Sequence, residues 1–361
     1  MRSPALMLDD QRFLNSFNRS KILDSVYSFP YQLRDAWEGS YETVVPHSKY
    51  LINNVVFCGM GGSGMPGRVV DCLGSWMLKV PFETVNDFHL PAYVGLGTLV
   101  IAVSYSGNTE EVLNTVSEAR ERGAQIFCIT RKGGKLSQIA KTYNLPGYFF
   151  DPRYNPSNQP RVGGGYLIMG TLGLLSKMEL VDFNRDQADS VIHFLGGQNG
   201  NFGARVPYQN NPAKLLANSM WGKIPVIVSS GHLLGGAVYM RNMLHENGKN
   251  FACVFEIPEL NHHLLEGLQF PVGNRNNLMF LFLESHVFHP ETKERFKKTI
   301  KIVNENGISS SRFFVRSGKL YTEAFEIAQL SGYVSYYLAT LNMVDPGPIP
   351  WVDYFKNLSL T

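Results

Sequence analysis

Val55–Cys58 is an apolar run, and the six residues after it, Gly59-Met60-Gly61-Gly62-Ser63-Gly64, are almost all glycine or serine. A buried strand that runs into such a tight turn and continues as a helix is the opening half of a strand–helix–strand unit. The pattern recurs at Thr98–Ser104, followed by Tyr105-Ser106-Gly107-Asn108-Thr109-Glu110 and a second helical segment. Repetition of this unit with short links predicts a mostly parallel, doubly wound α/β sheet.

The neighbouring segments fit that sheet. A helix is expected over Val69–Leu78, strands over Asn54–Cys58, Phe82–Val85 and Gln125–Thr130, and a helix over Glu110–Arg122. Asn108 and Thr109 are placed to cap the latter, Val112, Val116 and Ala119 form its inward stripe, and Gly123 can close it. The polar, glycine-rich stretch Gly196–Ala204 (GGQNGNFGA) reads as a domain boundary. Beyond it the pattern restarts: strands over Lys223–Ser229, Asn277–Leu283 and Arg312–Val315, and helices over Val238–Glu246, Glu291–Glu305 and Tyr321–Leu341. VIVSSGHLLGG at Val226 corresponds to VVFCGMGGSG at Val55, a duplication of pattern rather than identity. A chain of 361 residues is therefore divided into an arm (1–28), two α/β domains (29–195 and 204–344) and a tail (345–361) that begins at the helix-stopping DPGPIP.

The balance of 33 basic to 30 acidic residues, without a basic block, argues against nucleic acid as a partner. No apolar run approaches the roughly 20 residues that span a bilayer, and the acidic start lacks the apolar core of a signal peptide. Cys58, Cys72, Cys128 and Cys253 form no CxxC pair, so free thiols in a cytoplasmic protein are expected, not a zinc site. His286 and His289 have no further ligand pair nearby and read as structural or surface residues.

Gly59, Gly61 and Gly64 match G-x-G-x-x-G, which alone would suggest a dinucleotide and an oxidoreductase. The second loop points elsewhere. Ser104, Ser106 and Thr109 bring three hydroxyls to the end of the neighbouring strand, a set that suits a compact phosphate monoester. The second half has no equivalent Ser/Thr cluster, so one phosphate site per chain is expected.

GMGGSG followed by SYSGNTEE resembles the sugar isomerase (SIS) domain. Gln159-Pro160-Arg161, Glu246-Asn247 with Lys249, and Pro258-Glu259-Leu260-Asn261-His262 resemble the bifunctional phosphoglucose/phosphomannose isomerase family, from about Phe29 to the C-terminus. The resemblance implies two SIS-type domains, no cofactor, no metal, and interconversion of glucose 6-phosphate and mannose 6-phosphate with fructose 6-phosphate. It assigns phosphate binding to Gly62, Ser63, Ser104, Ser106 and Thr109, the base to Glu246, stabilisation of the intermediate to Arg161 and ring opening to His262. The family's C-terminal lysine corresponds to Lys356. His263 follows where relatives often carry Asn, which leaves two imidazoles for the ring-opening role. The resemblance also implies a homodimer in which the histidine reaches the neighbouring subunit's site.

These residue types suit the reaction. Aldose–ketose isomerisation needs one carboxylate within reach of two carbons, a cation beside the enediolate oxygen, and an acid–base pair to open the ring. Taken singly, Glu246 fits a solvated helix end, Arg161 an ion pair and His262 a packing role. The competing class is a non-catalytic sugar-phosphate sensor, which would keep the serine loops without needing Arg161, Glu246 and His262.

Overall fold

The computed structural model describes residues 3–46 and 50–358. Three short helices, α1 (Pro4–Asp9), α2 (Gln11–Ser16) and α3 (Ile22–Tyr27), lead into α4 (Phe29–Glu42). Strands β1 (Asn54–Cys58), β2 (Phe82–Val85), β3 (Thr98–Ser104), β4 (Gln125–Arg131) and β5 (Gly147–Phe150) form one sheet in the order β2-β1-β3-β4-β5. Every pair in it is parallel. Helices α5 (Met65–Met77), α6 (Glu110–Glu121) and α7 (Lys135–Thr142) connect the strands. All seven residues of β3 are buried, as both faces of a covered parallel sheet require. Alternate residues serve different layers: Val56, Cys58, Val100 and Ala102 pack with Val112, Val116 and Ala119 of α6. Val55, Phe57, Leu99 and Ile101 belong to the larger core on the other face.

α8 (Gly164–Lys177) and α9 (Arg185–Phe202) follow, then α10 (Pro212–Met220) and a second sheet of β6 (Ile224–Ser229), β7 (Cys253–Glu256), β8 (Leu278–Glu284) and β9 (Ser309–Phe314). Its order is β7-β6-β8-β9, again parallel. The remaining helices are α11 (Leu234–Glu246), α12 (Asn274–Asn277), α13 (Pro290–Glu305), α14 (Leu320–Leu341) and α15 (Pro350–Asn357). The duplication extends to the backbone. Gly61 (φ 49°) and Gly231 (φ 50°) adopt the same left-handed turn after β1 and β6, and each opens a 3₁₀ turn into the next helix.

The expected boundary at Gly196–Ala204 is not a linker. Gly196 to Phe202 forms the last turns of α9, which starts with a capping box between Asn184 and Gln187. Tertiary bonds hold the glycine-rich end helical: Gln329 on α14 donates to the Leu195 carbonyl (3.0 Å), and Tyr333 donates to Asn199 Oδ1 (2.7 Å). We keep residues 29–195 and 204–344 as a proposed division by sheet, with α9 as the connection.

The two halves meet along α5 and α11, which pack closely. A Cβ placed on Gly235 would lie 2.3 Å from the Arg68 carbonyl oxygen, so only glycine allows this approach. Among the described residues no helix is long and apolar enough to cross a membrane.

Candidate active site

In the first sheet the chain order reverses between β1 and β3, and the two glycine- and serine-rich loops lie together at the carboxyl ends of those strands. One hydrogen bond joins them: the Tyr105 amide donates to Ser63 Oγ at 2.9 Å. Ser104 Oγ lies 2.7 Å from Thr109 Oγ1 and accepts from the Gly107 amide at 3.1 Å. Ser106 Oγ accepts from the Asn108 amide at 3.2 Å. Ser63 and Ser104 are buried, while Ser106 and Thr109 are half-buried. Gly62 packs against the backbone of Arg161, where a Cβ would come within 2.9 Å of the amide nitrogen.

The expected capping of α6 does not occur. Thr109 is the N-cap residue but makes no side-chain bond to the helix. Its hydroxyl pairs with Ser104, and Asn108 Oδ1 accepts from the Lys135 amide at 3.2 Å. The first-turn amides of a twelve-residue helix thus carry no side-chain cap beside three hydroxyls, and such a terminus suits an anion. The corresponding place in the second sheet is filled from within. There Glu323 of α14 accepts from Ser285 Oγ (2.6 Å) and lies 2.7 Å from His232 Nε2, while Arg312 engages Glu284. Two carboxylates, each held by its own partner, thus occupy the place that hydroxyls hold in the first sheet.

Arg161 sits on the 3₁₀ turn Pro160–Val162, with its side chain fully buried. Tyr239 of α11 donates to its carbonyl at 2.7 Å and fixes the turn. The guanidinium is densely engaged. Nε donates to Asn247 Oδ1 (2.5 Å), Nη1 to Gln159 Oε1 (2.9 Å), and Nη2 to the carbonyls of Pro346 (2.8 Å) and Gly347 (2.6 Å). Nη1 also lies 3.5 Å from Glu246 Oε2. Glu246 is the last residue of α11, and its side chain is about a quarter exposed. Burial pushes the Glu246 carboxyl pKa up, partly offset by the positive charges of Arg161, Lys249, Lys356 and His245. Burial likewise pulls Arg161 down against the opposing effect of Glu246. Each group therefore supplies the counter-charge that the other needs in a desolvated site.

The structure brings Arg161 and Glu246 together but does not bring His262 to them. His262 is exposed, on the 3₁₀ turn Glu259–His262 that follows the carboxyl end of β7. Glu246 ends α11, which leaves the carboxyl end of β6 and runs back across the sheet for 13 residues, about 20 Å. The two residues thus belong to opposite ends of the strands, His262 beyond their carboxyl ends and Glu246 towards their amino ends. His263 is also exposed and pairs with Glu259 at 2.7 Å. Lys356 lies on α15, a helix with no buried residue, and its charge reaches Glu246. Among the described residues no group of three or more His, Cys, Asp or Glu is arranged to hold a metal ion.

Sequence reasoning did not anticipate the segment Asp345–Pro348, which carried only a helix-stop signal, nor the roles of Gln159 and Asn247. Asn247 is fully buried and ties Arg161 to Ser335 of α14 (3.1 Å). Buried polar partners of this kind have no periodic signature.

Comparison with known proteins adds three findings. Residues 209–358 match the family described as bacterial phospho-glucose isomerase C-terminal SIS domain, and residues 53–145 match the SIS domain. The chain is 34% identical to the bifunctional phosphoglucose/phosphomannose isomerase of Caldicellulosiruptor bescii, over 93% of this chain and 98% of that protein. It is 29% identical to the protein of the same name from Aquifex aeolicus, over 89% and 93%. A crystal structure of a hypothetical protein from Thermus thermophilus shares the fold, with TM-score 0.73 at 16% identity, covering 96% of this chain and 92% of that one.

Proposed function

Since this chain belongs to the bifunctional phosphoglucose/phosphomannose isomerase family, and is thereby a sugar-phosphate isomerase, we propose that it interconverts glucose 6-phosphate and mannose 6-phosphate with fructose 6-phosphate by metal-free enediol proton transfer. The observation that carries this reading is Arg161, buried on a turn packed against the glycine–serine loop and 3.5 Å from Glu246 at the end of α11. The substrate phosphate sits at Gly62, Ser63, Ser104, Ser106 and Thr109 and the amides of α6. Glu246, ionised, takes the proton from one carbon of the open-chain sugar and returns it to the neighbouring one. Arg161 is a fixed cation beside the oxygen that gains charge, already oriented before substrate arrives. His262 opens the ring, and Lys356 adds positive charge near Glu246.

The placement of Glu246 and His262 towards opposite ends of the same sheet supports a homodimer in which each site takes its histidine from the partner. Mixing inactive Glu246→Gln and His262→Ala variants and allowing subunits to exchange is then expected to restore activity, because hybrid dimers hold one intact site. Failure to regain any turnover would place the histidine elsewhere. Four free cysteines support the cytoplasm as its compartment.

The defining test is a coupled assay on EDTA-treated protein with fructose 6-phosphate, reading glucose 6-phosphate and mannose 6-phosphate separately. Formation of both supports the proposal, and loss of turnover with EDTA would overturn its metal-free part. Removing the hydroxyl pair with Ser104→Ala and Thr109→Ala is expected to raise KM by about tenfold or more, since hydrogen bonds to a charged group each contribute about 1.5–3 kcal/mol. An unchanged KM would move the phosphate site.

A further inference from the structure

Lys249 lies three residues beyond Glu246, in the left-handed backbone region at φ 52° that favours glycine. The chain adopts this conformation immediately after the buried Asn247 and Gly248. Lys249 Nζ donates to the Glu246 carbonyl and to the carbonyl of Pro348, and reaches that of Pro346 at 3.4 Å. All three acceptors are backbone oxygens, one on the helix end that carries Glu246 and two on the segment Asp345–Pro348. Arg161 holds the same segment through the carbonyls of Pro346 and Gly347. Asp345 fastens it further: its carboxylate accepts from the Gly347 amide at 2.8 Å and from Ser20 of the arm at 3.4 Å. One short strap therefore stands between two cations and a carboxylate.

Resting on the reading of Glu246 as the base, we infer that Lys249 is a positioning residue of the isomerisation: it pins the strap to the end of α11, and so holds the Glu246 carboxylate in line with Arg161. Without this ammonium, the Pro348 carbonyl loses its donor and the direct tie between the strap and the Glu246 carbonyl is lost, leaving the strap to Arg161 and Asp345. Misplacement by even an ångström at a proton-transfer site is costly. The ammonium also sits in the field of the site. Lys249 is exposed overall, yet partial burial of its ammonium, then the nearby Arg161 charge, pulls its pKa down to about 8, against the opposing charges of Glu246 and Asp345. Around Glu246, the charged groups are Arg161, Lys249, Lys356 and His245. Lys249 is protonated below about pH 8 and loses its charge above it. The arrangement thus gives kcat an alkaline fall in that range.

The experiment uses the full chain with fructose 6-phosphate. Lys249→Met is expected to lower kcat about 10²-fold with KM little changed, because the phosphate loops are untouched. Lys249→Arg keeps a charge that does not titrate, so it is expected to retain activity and to lose the alkaline fall near pH 8 seen in the wild type. That shift of the pH profile is a signature that a merely structural lysine would not give, and it is read on folded protein even if Lys249→Met is unstable. Wild-type kcat in Lys249→Met, or an unchanged alkaline limb in Lys249→Arg, overturns the inference. Glu246→Gln measured in parallel separates the two readings: if it is inactive while Lys249→Met is normal, only the role of Lys249 falls. If Glu246→Gln turns over normally, both fall.

Discussion

Replacing Glu246 by Gln is expected to lower kcat about 10²–10⁴-fold, the range general acid–base catalysis typically contributes, while fructose 6-phosphate still binds. The amide cannot accept a proton from carbon, yet it matches the carboxylate in size and can still sit beside Arg161 Nη1, 3.5 Å away. The loops proposed to bind phosphate lie on the other sheet, so calorimetry should find affinity close to wild type. The wild-type pH profile provides a second check. A base works only when ionised, and burial raises the Glu246 pKa above the ordinary glutamate value. Activity should therefore rise with pH through a limb displaced upward from that value, and the residual rate of the Gln variant should lack this limb. Near-normal turnover by Glu246→Gln would remove it from the chemistry.

Arg161→Lys is expected to lose about 10²–10³-fold in kcat, comparable to removing one preorganised oxyanion donor, and also to melt at lower temperature. Lysine keeps the positive charge but not the planar fork. Arg161 reaches Asn247, Gln159, Pro346, Gly347 and Glu246 at once. An ammonium has three donors from a single point, so buried acceptors are left without partners, at about 1–3 kcal/mol each. Kinetics and a thermal melt on the same preparation test both halves. A variant with wild-type kcat and melting temperature would show that the fork is dispensable.

Much of the scaffold was legible because its strands are apolar runs bounded by glycine turns. Residues 54–58, 82–85 and 98–104 fold as read, and the inward stripe of α6 packs as its spacing requires. Tertiary packing accounts for what was missed. α8 is rich in glycine, a poor helix former, yet it is helical because it is buried against α4. The last turns of α9 are held by Gln329 and Tyr333 from a helix more than a hundred residues away. β5 and β7 were not read; each is a short strand of four residues. At the candidate site, single residues were readable through the resemblance. The sharing of one strap by Arg161 and Lys249 was not, because backbone carbonyls as acceptors leave no trace in side-chain identity.

That strap has a consequence for how the protein is made. Arg161 belongs to the first half of the chain, but two of its buried partners are the carbonyls of Pro346 and Gly347. During synthesis the first sheet can emerge and condense well before those residues leave the ribosome. Until they do, a guanidinium destined for the interior lacks acceptors, and sealing it in would cost several kcal/mol. The turn that carries it is therefore expected to stay open and hydrated until late, so that Arg161 and Glu246 come together in one of the last steps of maturation. A nascent chain halted before residue 346 would hold a folded sheet without a working centre.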